Sequence, residues 1–110
     1  MKIKLAVLAV LVIALPAFAQ QMHHNNRAKD VYSSAMHEMH EAMGSVKPTG
    51  DADIDFVQGM IPHHQGAIDM AKIQLEKGTD PEIRKLSEEI IAAQEKEIAM
   101  MKAWLKKHKK

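Results

Sequence analysis

Cysteine is absent from this chain. That excludes a disulfide framework and a thiol nucleophile, and it leaves no lipid-attachment site. Aromatic residues are scarce at 4%, with a single tryptophan and a single tyrosine. No stretch alternates apolar and polar residues as a half-buried strand would, so helices are expected. Charge of one sign is also lacking, with a formal net charge of +1. Nucleic acid, which asks for a concentrated basic face, is therefore not an expected partner. The basic stretch Lys106-Lys107-His108-Lys109-Lys110 has a simpler reading as a solvated tail at the negative end of a helix.

Long hydrophobic runs are missing as well. The run from Leu5 to Leu15 falls short of the about 20 residues that span a bilayer. Preceded by Lys2 and Lys4 and followed by Ala17-Phe18-Ala19, it reads as a secretory signal peptide over residues 1–19, cut after Ala19. The expected location is a bacterial periplasm, with no stable membrane insertion after cleavage. What remains is one small domain with a limited core.

Against these absences stand nine methionines and seven histidines in 110 residues. Residues 20–27, with Met22, His23 and His24, show no periodicity and read as a flexible N-terminal segment. A first helix is predicted from about Ala28 to Met43, stopped by Gly44. Its inward stripe is Tyr32, Met36, Met39 and Met43, with His40 beside Met36, and it contains no leucine or isoleucine. A helix that only had to pack would use some of them, since methionine specifies a core poorly.

The second predicted helix is capped by Asp51 or Asp53, reaches Lys77 and ends at Gly78, with Pro62 inside it. It carries Met60-Ile61-Pro62-His63-His64-Gln65-Gly66-Ala67-Ile68-Asp69-Met70. At about 100° per residue, Met60 and His64 share an apolar arc with Ala67 and Ala71, and His63 and Met70 border it. A third helix, from about Pro81 to Lys106, opens with Thr79-x-x-Glu82 as a capping box. Its arc holds Ile83, Leu86, Ile90, Ile91, Ile98, Met101, Trp104 and Leu105, while Met100 falls off it. Gln94 and Glu97 lie inside the arc, either to hold an imidazole of His63 or His64, or with Gln94 meeting the carbonyl freed by Pro62 and Glu97 pairing with a lysine.

Three stretches together resemble the DUF305 family, which includes periplasmic CopM-type copper-binding proteins. They are Met36-x-x-Met39-His40-x-x-Met43, Gly50-Asp51-x-Asp53-x-Asp55-Phe56-Val57-x-x-Met60-Ile61-Pro62-His63-His64-x-Gly66-Ala67-Ile68-x-Met70-Ala71, and Gln94-x-x-Glu97-Ile98-x-x-Met101-x-x-Trp104-Leu105. The resemblance implies an all-α, ferritin-like helical bundle. With three helices in one chain, completing a four-helix bundle calls for a second copy, so a homo-oligomer is an expected partner.

The donor chemistry points to copper. Thioether sulfur suits Cu(I), imidazole accepts copper and zinc, and methionine is the only soft donor in the chain. Zinc would leave the methionines unexplained, and calcium would ask for clustered carboxylates. The candidate metal ligands are Met36, Met39, His40, Met43, Met60, His63, His64, Met70 and Met101, with Gln94 and Glu97 behind them. They exceed what one ion needs. The ion expected is Cu(I), with silver following it, and the role is tolerance or trafficking. No Glu-x-x-His pair of a di-iron site occurs. His37 and His40 stand three apart where a zinc-protease helix needs four, so an enzyme is not expected. The competing reading is a metal-free helical module that self-associates or docks a partner through a methionine-rich face.

Overall fold

A computed structural model describes residues 17–109, with side chains from residue 31 onward. The protein is an all-α helical bundle: α1 (Ala17–Gly44), α2 (Ala52–Lys77) and α3 (Pro81–His108). The first sixteen residues of the expected signal peptide lie outside the described residues. Among those described, no helix is long and apolar enough to cross a membrane.

α1 begins earlier than periodicity predicts, taking in residues 20–27, which read as flexible in the sequence. No glycine or proline interrupts the chain between Ala17 and Gly44, so no residue there breaks the helix. Gly44 closes the helix without a left-handed cap, since the one glycine at positive φ is Gly50, in the following loop at φ 88°. The last turn ends instead with Ser45 N–H donating to the Glu41 carbonyl at 3.0 Å and Ser45 Oγ donating to that of Ala42 at 2.8 Å. The buried face is also rotated from the predicted stripe. Ala35 is 8% exposed while Met36 is 43% exposed, because the face centres between Ala35, Met39 and Tyr32.

α2 has the expected ends and runs unbroken through Pro62. Asp51 caps it, its side chain accepting from the N–H groups of Asp53 and Ile54. Asp80 caps α3 in the same way, accepting from Glu82 and Ile83, in place of the expected Thr79 capping box. Aspartate one residue before Pro81 reaches those donors directly, and Pro81 gives up no hydrogen bond at the first helical position.

The loop into α2 is held by Asp55. Its carboxylate accepts from Thr49 N–H and Thr49 Oγ, both at 2.7 Å, and from Gly50 N–H at 3.2 Å. The Thr49 hydroxyl first, then the Thr49 and Gly50 amides, hold its pKa below the ordinary 3.8. The folded state therefore gains stability from ionised Asp55 above about pH 4, and loses it as pH falls through the depressed folded pKa. In urea titrations, Asp55→Asn should melt earlier than the parent near neutral pH and converge with it in acid. Parallel curves across that range would show that this carboxylate does not hold the loop.

A three-residue loop makes α2 and α3 an antiparallel hairpin. Near the loop, Arg84 Nη1 donates to the carbonyls of Leu75 at 2.6 Å and Gly78 at 3.1 Å, and Ser87 donates to Gln74 Oε1 at 2.8 Å. The middle is the core, where Ile68, Ile98 and Met101 cluster with Val57, Met60, Ile61 and Ile91 around them. α1 lies across α2, and makes no close backbone approach to α3 among the described residues. Gly66 permits that crossing. A Cβ there would stand 2.7 Å from Met39 Cγ and 2.9 Å from its Cβ, closer than side-chain carbons pack.

Candidate metal centre

Beyond the core, toward the start of α2 and the end of α3, the hairpin opens into a groove of about 460 Å³. Asp53, Phe56, Val57, Met60 and His64 line it from α2, and Glu97, Met100, Met101 and Trp104 from α3. The antiparallel pairing sets His64 opposite Glu97, 33 residues away in sequence, with Nε2 2.5 Å from the carboxylate Oε2. The imidazole side chain is only 15% exposed, whereas Glu97 remains half exposed.

This contact fixes the chemistry of the ring. With Glu97 ionised, Nε2 carries the proton and donates it to the carboxylate, so Nδ1 of neutral His64 keeps a lone pair. Nδ1 is buried and has no hydrogen-bond partner. An unpaired buried acceptor is costly, and a carboxylate behind an imidazole is the arrangement that orients metal-binding histidines. Three thioethers line the same groove: Met60 half-buried, Met101 at 6% exposure within the core cluster, and Met100 at 64% exposure.

The remaining candidates go elsewhere. Met39 packs on Gly66, and Met43 is half-buried on the same side of α1. Met36 and His40, one helical turn apart, lie on the exposed edge of α1. Met70 is in a shallow hollow with Tyr32, Ala71 and Gln74. His63 is exposed, its ring 6.2 Å from that of His64 and edge-on to it. Gln94 faces α2, but its buried Oε1 has no partner, so of the two residues expected behind the imidazoles it is Glu97 that touches one. Met100 was missed by the helical arc, which centred on Ile98 and Met101 and left it on the flank. The signal available was its adjacency to Glu97 and Trp104 at spacings of three and four.

Among the described residues, no three histidine or carboxylate side chains converge as a hard-ligand metal site. The groove instead combines one nitrogen with sulfur, and its rim is closed at the end of α3 by Trp104. His108 stacks on that indole at 4.1 Å between ring centres, its Nδ1 bonded to the Trp104 carbonyl at 2.8 Å.

Residues 53–110 match the family model described as a domain of unknown function, DUF305. The match takes in α2 and α3, hence the whole groove, and α1 precedes it. An uncharacterized protein of Acanthamoeba polyphaga mimivirus is 40% identical over 57 residues, which is 52% of this chain. The chain spans 38% of that viral protein.

Proposed function

We propose, for a chain that belongs to the DUF305 family, a role as an exported copper-binding protein of the CopM type. It takes Cu(I), and the softer Ag(I), in the groove between α2 and α3. The carrying observation is His64, whose Nε2 is tied to Glu97 while Nδ1 stays buried and unpartnered, on a residue that lines the same groove as three methionines. His64 supplies nitrogen, and Met60, Met100 and Met101 supply sulfur. Glu97 fixes the tautomer and orientation. Neutral soft donors hold a monovalent soft cation without adding charge, and they resist the oxidising conditions outside the cytoplasm better than thiols would. The protein holds or hands over the ion and does not turn it over. Met36 and His40 on α1 make a separate, more exposed pair that would bind more weakly.

The test is an anaerobic Cu(I) titration against a chromogenic chelator, with two sets of volume-conserving changes. Met60→Leu with Met100→Leu and Met101→Leu should remove the tight-binding phase. Met36→Leu with Met39→Leu and Met43→Leu should leave it in place. Equal binding by both variants and the parent would overturn the groove site. Absence of any tight Cu(I) phase in the parent would favour the metal-free reading, for which the observation is the exposed apolar rim formed by Phe56 and Met100.

A further inference from the structure

α3 carries two apolar seams, and the fold uses one of them. Ser87, Ile91, Gln94, Ile98, Met101 and Leu105 recur at alternating spacings of four and three. All are buried or half-buried on the side facing α2. Displaced by one residue runs a second series with the same spacing: Ile83, Leu86, Ile90, Ala93, Glu97, Met100 and Trp104. It keeps the heptad rhythm over three repeats, the length at which such a pattern argues for a coiled-coil partner. Five of its seven residues are exposed, Ile83, Leu86 and Met100 by 47%, 49% and 64%. α1 makes no close backbone approach to α3 among the described residues, and its Tyr32 reaches the seam only at Ile90, with which it lines a shallow hollow.

We propose that this second seam is the face on which a second copy of the chain docks, α3 against α3 in antiparallel orientation. Charge on the seam's outer flank selects both the partner and the direction. Glu82 and Glu89 stand at the flanking positions in its first half, and Lys96 in its second half, with Lys107 at the end of the seam. A parallel pairing would set this flank against the uncharged Ser87, Gln94 and Met101 of the partner and gain no ion pair. Reversing one copy sets Glu89 against Lys96 of the other, twice, about a twofold axis near Ala93. The Glu89 carboxylate lies 3.7 Å from Lys85 on its own helix, an exposed contact that leaves it available. Ala93 is small enough at that axis for the helices to approach closely. Glu97 is the one charged residue within the seam, the kind of position that fixes register at some cost in stability. This inference goes beyond copper binding, although the seam shares Glu97, Met100 and Trp104 with the groove proposed for Cu(I).

The absence of cysteine makes the test direct. Sedimentation velocity with chelator present should give a mass of two copies that dissociates on dilution. Leu86→Glu with Ala93→Glu should sediment as one copy with unchanged helical circular dichroism. Ala93→Cys should form a disulfide-linked dimer on mild oxidation, while Glu88→Cys, on the solvent side of α3, should not. Glu89→Lys should weaken pairing and Lys96→Glu added to it should restore it. A parent protein that remains a single copy at the highest concentration reached would overturn the proposal, leaving the seam to a different protein. So would a dimer that cross-links through Glu88→Cys and not through Ala93→Cys. Because metal is excluded throughout, either failure leaves the Cu(I) reading untouched.

Discussion

Ile68→Ala should bring the protein close to unfolding at physiological temperature. Ile68 is 2% exposed, and is the only large side chain among the described residues that is fully buried. It joins Ile98 and Met101 in a core whose other members are partly open. Removing three carbons there forfeits their transfer energy and leaves a cavity that two long helices cannot easily collapse, a loss of about 2–5 kcal/mol. A domain of this size has roughly 5–15 kcal/mol in total, and small ones lie toward the lower end. In a chain this short each kcal/mol moves the melting midpoint by about 4–8 °C, so a drop of roughly 8–40 °C is expected by calorimetry. A loss below about 1 kcal/mol, typical of surface changes, would show that the hairpin is held by something other than this core.

The second large effect concerns the ring opposite Glu97. His64→Leu should abolish the tight Cu(I) phase, because it removes the only nitrogen donor lining the groove. Glu97→Gln should weaken binding by about 10–100-fold, as changes behind a metal-bound imidazole do. A glutamine can still meet Nε2, but it offers no charge to hold the proton there. Nitrogen-15 spectra separate this positioning role from a merely structural one. In the parent, His64 should show a protonated Nε2 and a bare Nδ1, and the Nδ1 signal should move on adding Ag(I). In Glu97→Gln the tautomer should become mixed before any metal is added. An unchanged tautomer together with unchanged affinity would remove Glu97 from the site.

These expectations place the proposed Cu(I) site toward the open end of the hairpin, where Met60 and Met101 belong to both the groove and the core cluster. Near the loop, Arg84 and Ser87 tie the helices by hydrogen bonds, and at the centre aliphatic side chains interlock. Toward the start of α2 the helices leave a groove lined by Phe56, Met60, Met100 and Trp104. A region without dense packing can open to admit an ion without disrupting the fold.

The sequence alone determined the helical class, the end of α2 and the start of α3, because local signals act there: Gly78, Pro81 and strong periodicity; it left Asp51 and Asp53 both open as the cap of α2. It also supplied the thioether and imidazole side chains from which the proposed site is drawn. Where α1 begins was not legible, because residues 20–27 contain neither a helix breaker nor an apolar rhythm. Tertiary structure decided which donors share a place. Periodicity says which residues lie on one side of a helix, but not which neighbour that side meets. Met36 and Met39 are equivalent in the pattern, yet one is exposed and the other packs on Gly66. Met100 looked peripheral on α3 alone, and became a groove residue because α2 presents Met60, His64 and Phe56 toward that flank. The pairing of His64 with Glu97 depends on the register of two antiparallel helices, and that register is set by the side chains packed between them.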